Sequence, residues 1–474
     1  MICTITMNDK NMAIITVYTR EAFPGEYPFG LASAVHFSID RDGTATPLNR
    51  NYGILFAEGE ISENNTIIPL GIERPRIYRA DDGYIYVTGR RILSSGRRYE
   101  PDGDRLWCWK TADLIHFEPL GLVEPSFAEK YAPGDSIGID EDTAQTAVRY
   151  WDPPVPRDDP GASEYVFPLA EGYGDPVIFP WDGKWYFIAT NDNTDDIGLY
   201  VREADSVPAL FAPGVTEHLI LPYDPARELI QTFWAPEFHV ISGELYILFA
   251  VSGEQWGPQC HIMKLKAGGH ITDSESWHDP VKVVRKDGSP LSPGDISLDM
   301  TYIKAGRGSY VVWSYRENIG QPLDSGSMLY IASIDEKEPW RLTSEPVLLS
   351  RPLFGWENVE DTINNEGPYA YIRNGRIYLT YSGGAADSYT YAVGLITADV
   401  DADLLDVTSW SKSISPILSF YSVDEFGPGH NSFFTDETGA LMIAYHAETD
   451  ITEHLRCDMI RMVLFKEDGI PYFA

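Results

Sequence analysis

Basic residues are scarce in this chain. It carries 36 Lys and Arg against 71 Asp and Glu, a formal net charge of -35. That balance disfavours nucleic acid, whose phosphates need a basic face, and it disfavours anionic membranes in the same way; a neutral partner fits better. Cysteine is rarer still. Cys3, Cys108, Cys260 and Cys457 are scattered with no CxxC spacing, which argues against a disulfide framework and against a zinc site. No apolar run approaches the roughly 18 residues of a membrane helix. The first ten residues hold no basic segment followed by an apolar core, so they do not read as a signal peptide. These absences together predict a cytoplasmic protein. Long apolar runs at helical spacing are scarce as well.

What is present is short and aromatic. Hydrophobic residues make up 43% and aromatic residues 13% of the 474, ample for a core. They fall in short Val/Ile/Tyr/Phe/Trp runs broken by Gly, Asp, Asn and Pro, the pattern of an all-β protein. The length suits two domains. Residues 12–60 alternate apolar and polar. A unit from Glu73-Arg74-Pro75 through the turn Asp81-Asp82-Gly83 to Phe117 reads as a four-stranded sheet. Residues 121–165 are rich in Pro, Asp, Glu and Gly and read as a linker. Residues 1–165 are therefore expected to form an N-terminal β domain with its linker.

From residue 166 the chain repeats itself. Gly174-Asp175-Pro176, Trp234-Ala235-Pro236-Glu237, Leu298-Asp299-Met300, Asn365-Glu366-Gly367-Pro368 and Gly429-His430-Asn431 each open an apolar run. A turn and a second apolar run follow in every case. Asp175, Glu237, Asp299, Glu366 and His430 lie about 60 to 70 residues apart. Self-similar β units at a long fixed period mean a propeller, here five-bladed over residues 166–474. The residue before each innermost strand sits where blades converge, so Asp175, Asp299 and Glu366 are expected to face one cavity. Crowded carboxylates raise at least one pKa, which leaves a proton donor at neutral pH. A carboxylate base with a carboxylic acid donor is what glycosidic bond hydrolysis needs.

Those five motifs, in that order and spacing, resemble glycoside hydrolase family 43, whose members are five-bladed propeller enzymes acting on arabinose- and xylose-containing glycans. The resemblance covers residues 166–474. It implies hydrolysis with inversion, with Asp175 the general base, Glu366 the general acid, and Asp299 tuning and orienting Glu366. One departure is Met300, where the family often has proline after the middle aspartate. The function implied is removal of terminal sugars from arabinose-containing oligosaccharides by an α-L-arabinofuranosidase. β-Xylosidase, endo-arabinanase and galactofuranosidase activities stay open on the same fold, as does a non-catalytic carbohydrate-binding propeller. Phe233, Trp234, Trp256 and Tyr381 are candidates for stacking on a sugar, against a core role for each. Arg316 is a candidate donor to Asp299 or to a sugar hydroxyl, against a surface ion pair. Glu237 is read as structural or sugar-contacting. His430 is the candidate metal-site residue. The chemistry requires no cofactor, but family members often carry calcium in the axial channel, and His430 could support such a cation or bind water or sugar.

Overall fold

The computed structural model describes residues 12–155, 165–359, 362–452 and 454–474. The chain divides into two compact units. The smaller comprises Met1–Glu60, Ile68–Val155 and Leu353–Val359, the larger Ile61–Ile67, Pro156–Pro352 and Glu360–Ala474. Among the described residues, no helix is long and apolar enough to cross a membrane.

The smaller unit holds two four-stranded antiparallel sheets. One orders Ser136–Asp140, Met12–Tyr18, His36–Arg41 and Thr44–Pro47; the other orders Leu70–Arg79, Ile85–Leu93, Leu106–Thr111 and Glu118–Val123. In the second sheet Tyr78 stacks on Tyr86 at 5.5 Å, and the Tyr86 hydroxyl donates to Asp82 of the Asp-Asp-Gly turn at 2.7 Å. The stretch read as a linker is more ordered than expected. It supplies the strand Ser136–Asp140 and the helix Glu141–Trp151, where Asp140 caps the helix by accepting from the Thr143 amide at 2.8 Å. The helix buries only Ala144 and Ala147. Two methyl groups give too weak an apolar period to stand out beside the Pro- and Asp-rich flanks.

The larger unit is a five-bladed β-propeller. Blades 1 to 4 are four-stranded antiparallel sheets and blade 5 is five-stranded; the first strands are Tyr173–Trp181, Gln231–Ile241, Ile296–Ala305, Asn365–Arg373 and Phe426–Thr435. The first strands of successive blades touch, and that of blade 5 touches that of blade 1, so they ring an axis. Ala170–Glu171, from ahead of blade 1, completes the fifth sheet by pairing with Asp458 and Cys457. This covers an edge that would otherwise offer open hydrogen-bonding groups. Outer strands include Glu217–Leu221 in blade 1 and Gln259–Lys264 in blade 2.

Blades pack face to face through aromatic and aliphatic layers. Trp313 of blade 3 sits 1% exposed among Tyr246, Leu248 and Ile262 of blade 2 and Met300 and Met328 of its own blade. Trp313→Ala is expected to cost about 3–5 kcal/mol, the usual penalty for truncating a large buried ring. Urea denaturation checks this; a loss below about 1 kcal/mol would mean that the interface collapses around the cavity.

Candidate active site

Every first strand of the propeller carries the same defect. The ladder slips between Gly174 and Val177, Trp234 and Glu237, Leu298 and Thr301, Glu366 and Tyr369, and Gly429 and Ser432. Inside each slip one residue has positive φ: Asp175 at 59°, Ala235 at 44°, Asp299 at 54°, Gly367 at 55° and His430 at 45°. Such a bulge bends the strand and re-aims its side chains. Asp and His tolerate this left-handed region better than most residues. Strand Leu70–Arg79 of the smaller unit slips likewise at Arg74, φ 49°, so its sequence reads like a further blade although the ring closes with five.

The bulge corrects the repeat register at two blades. The equivalents of Asp175, Asp299 and His430 are Ala235 and Gly367, not Glu237 and Glu366. Glu366 stands one position earlier, level with Gly174, Trp234, Leu298 and Gly429. Glu237 stands two positions later, level with Val177, Thr301, Tyr369 and Ser432. A shift of one residue turns a side chain to the other face. Sequence spacing cannot resolve it, because the extra residue of a bulge is invisible in an apolar pattern.

The bulges are stitched together around the axis. The Ala235 amide donates to Thr190 Oγ1 at 2.8 Å, the Gly367 amide to Asp299 Oδ2 at 3.1 Å, the His430 amide to Ser382 Oγ at 2.8 Å, and the Asp175 amide to His446 Nδ1 at 3.1 Å. Each acceptor belongs to the preceding blade. His446 Nδ1 also lies 3.3 Å from Asp175 Oδ1. It cannot accept from the amide and donate to the carboxylate at once. The amide can only donate, so we assign the lone pair to Nδ1 and the proton to Nε2. Burial, which lowers the His446 pKa, agrees with a neutral ring.

Asp175, Asp299 and Glu366 come together here, and their environments differ. Asp175 is 6% exposed. Thr190 Oγ1 donates to its Oδ2 at 2.5 Å; His430 Nδ1 and Arg456 Nη1 approach its Oδ1 at 3.0 and 3.3 Å. Burial alone would raise its pKa, but His430 and Arg456 hold it well below the ordinary carboxylate value. Arg456 also pairs with Asp192, and Gly174 makes room for it, since a Cβ there would lie 2.3 Å from the guanidinium. Asp299 accepts from Ser314 Oγ at 2.9 Å and from the amide of Gly367, the residue after Glu366. Burial and the Asp175 charge raise its pKa. Glu366 accepts from the Tyr391 hydroxyl at 2.8 Å. Burial and the nearby Asp299 push its pKa up to about 7. The His430 ring lies between the two ends of the site, with Nδ1 on Asp175 and its carbons 2.9 Å from where a Gly367 Cβ would stand.

The remaining candidates divide. Trp234 occupies in its blade the bulge position that Glu366 occupies in blade 4; it is partly exposed, and its indole NH donates to Asp196 at 2.7 Å. Trp256 is exposed in the loop after Ser252, which pairs with Gln231 at the same end of blade 2. Phe233 and Tyr381 are fully buried. Phe233 lies in the layer between blades 1 and 2, and the Tyr381 ring fills the space over Gly394, so neither has a face to offer a sugar. Arg316 is held by both oxygens of Asp324 at 2.8 Å, while Asp299 takes Ser314 instead. Glu237 is buried and bonded to His239 Nε2 at 2.6 Å. Burial opposes a proton on His430, but Asp175, Asp299, Glu366 and Glu237 outweigh it and raise its pKa. Calcium prefers oxygen donors. Among the described residues no group of three or more His, Cys, Asp or Glu is placed to hold a metal ion, so no step is derived through a cation.

Several residues of the site escaped the sequence reading. Thr190, Ser314, Ser382 and His446 lie on the second strands, opposite the bulges and fifteen or sixteen residues after Asp175, Asp299, Gly367 and His430. That constant offset was the available signal. In the acidic loop after the second strand of blade 1, Asp192 pairs with Arg456 and Asp196 takes the Trp234 indole. Tyr391 and Arg456 gave no signal.

Residues 216–471 match the family model described as glycosyl hydrolases family 43. A Streptomyces chartreusis protein named extracellular exo-α-(1→5)-L-arabinofuranosidase is 34% identical over 310 residues, 64% of this chain and 87% of that protein. A Streptomyces avermitilis protein of the same name is 31% identical over 323 residues, 65% of this chain; the chain spans only 63% of that protein's length. The crystal structure of an α-L-arabinofuranosidase from Lactobacillus brevis superposes with a TM-score of 0.59 at 31% identity, over 66% of this chain and 97% of that one. With the family model matching over half of the chain and the propeller shared, the chain belongs to glycosyl hydrolases family 43.

Proposed function

We propose that this protein is an exo-acting α-L-arabinofuranosidase that works by single displacement with inversion. Asp175 is the base that deprotonates water, Glu366 the acid that protonates the leaving oxygen, and Asp299 the residue that orients Glu366. One observation carries the assignment: in one cluster the surroundings push two carboxylates apart, Asp175 well below its ordinary value and Glu366 up to about 7. Carboxyl groups separated in this way can serve as base and acid at the same pH. The Asp299 bond to the Gly367 amide fixes the backbone that carries Glu366. The His430 ring between Asp175 and Gly367 favours a spacing wide enough for water, as inversion requires. Trp234, on the level of Glu366, is the best-placed platform for a sugar. The terminal arabinofuranose specificity rests on the relatives, named exo-α-(1→5)-L-arabinofuranosidases.

The same relatives are named extracellular, which points to secretion and overturns the cytoplasmic expectation. Few cysteines suggested a reduced compartment, but Cys108, Cys260 and Cys457 are buried free thiols; Cys3 lies outside the described residues. Burial pushes Cys108 and Cys457 up to about 12. Thiols kept protonated and out of solvent are inert to oxidation.

The test is incubation with 1,5-linked arabino-oligosaccharides and with nitrophenyl glycosides of arabinofuranose, xylose and galactofuranose. Arabinose released one unit at a time is the expected result. Preferred release of xylose or galactofuranose, or internal cleavage, would replace the substrate assignment; inertness to all would leave a binding propeller. The pH profile of kcat/KM has a definite shape on this reading. Glu366 must be protonated, so activity is present below about pH 7 and falls as pH rises through it. Asp175 must be ionised, so the acidic limb lies well below the ordinary carboxylate range.

A further inference from the structure

Tyr391 joins the two ends of the site. It precedes strand Ala392–Asp399 of blade 4 and is fully buried. Its hydroxyl donates to Glu366 Oε1 at 2.8 Å. Its ring crosses the backbone of blade 5 at Gly429, where a Cβ would lie 2.0 Å from the ring. Beyond Gly429 it stacks on His446, with centroids 5.6 Å apart and planes 11° from parallel. His446 is the cross-strand partner of Gly429 and accepts from the Asp175 amide. A continuous path of two hydrogen bonds and one stack thus runs from Glu366 through Tyr391 and His446 to Asp175. Gly429 is small because the tyrosine passes over it, as Gly174 is small beside Arg456.

We infer that Tyr391 is a positioning residue for the proton donor, and that it sets the pH at which Glu366 gives up its proton while locking the acid in register with the base. The inference rests on Glu366 being the acid. A phenol that donates to a carboxylate stabilises the charged form and lowers its pKa. Asp299 acts in the opposite sense on Glu366, and His430 in the same sense. The charged and titratable groups around the tyrosine itself are Glu366, Asp175 and Asp299, together with the neutral His446. Without the hydroxyl, Glu366 would hold its proton to higher pH. It would also lose the bond to its Oε1 and keep the side-chain bond from Asn364, so protonation of a poor leaving group would slow.

Tyr391→Phe keeps the ring, its place over Gly429 and its stack on His446, and removes only the hydroxyl. The expected result is an upward shift of the basic limb of kcat/KM by about one pH unit, the scale of a hydrogen bond to a charged group. A fall in kcat of about tenfold on arabino-oligosaccharides, but little on nitrophenyl arabinofuranoside, should accompany it. An unmoved basic limb, with or without a lower melting temperature, would overturn the inference, because a structural tyrosine alters stability without moving that limb. The same substitution in a Glu366→Gln background separates the two readings. If Glu366→Gln slows oligosaccharides far more than the nitrophenyl glycoside and Tyr391→Phe adds nothing further, both stand. If Glu366→Gln keeps full activity on oligosaccharides, the acid assignment fails and takes the tyrosine with it. If Glu366→Gln behaves as an acid variant but Tyr391→Phe alone keeps the wild-type profile, only the tyrosine inference falls.

Discussion

Glu366→Gln is expected to lower kcat on arabino-oligosaccharides by about 100- to 10,000-fold, the range that general acid catalysis contributes. The amide fills the same space, and its NH2 could bond the leaving oxygen, but it has no proton to transfer. The expected loss depends on the leaving group. An alkoxide of a sugar must be protonated as the bond breaks, whereas a nitrophenolate leaves unassisted, so the aryl glycoside should lose far less. The basic limb near pH 7 should vanish with it, since that limb is the ionisation of Glu366, raised by burial and by Asp299. Kinetics on both substrate types, with pH profiles, check this. Equal losses on the two, or a surviving limb, would remove Glu366 from the acid role.

Asp175→Ala is expected to cost at least as much, on every substrate. The base acts on water, and water is the same nucleophile whatever leaves. His430 and Arg456 hold Asp175 ionised, and Thr190 orients it from the second strand. Asp192, which shares Arg456 with it, is held by that ion pair. Removing the side chain opens a space where a small anion that needs no deprotonation can attack. Sodium azide should therefore restore turnover on nitrophenyl arabinofuranoside, giving an arabinosyl azide of the opposite anomeric configuration. Proton NMR of the first product of the wild-type protein should likewise show inversion before mutarotation. A retained anomer from the wild-type protein, or a glycosyl-enzyme trapped on Asp175, would sink the assignment, because both belong to a double displacement.

Asp299→Asn and Asp175→Ala would differ in kind. On the proposed roles Asp299 acts through the Gly367 amide and through its charge beside Glu366 and His430. This division between acting and orienting was legible only in part beforehand.

The sequence by itself determined the all-β class, the five-fold repeat and the meeting of Asp175, Asp299 and Glu366 at one end of it. Those follow from short-range causes: alternation, turn chemistry, and a period long enough for one four-stranded sheet. It also marked the Leu70–Val123 sheet, because that strand set has the same local pattern. Only the tertiary structure decided the register at the bulges, which moved Glu366 one place before the common position and Glu237 two places beyond it. A bulge adds a residue without changing which residues are apolar, so patterning is blind to it. Only the tertiary structure placed Arg456, His446 and Tyr391, for their partners lie 281, 271 and 25 residues away and no local rule links them. It likewise sent Phe233 and Tyr381 to the core and Arg316 to Asp324. An aromatic ring on a strand looks the same in sequence whether it faces a sugar or the next blade, and the packing of neighbouring blades settles which.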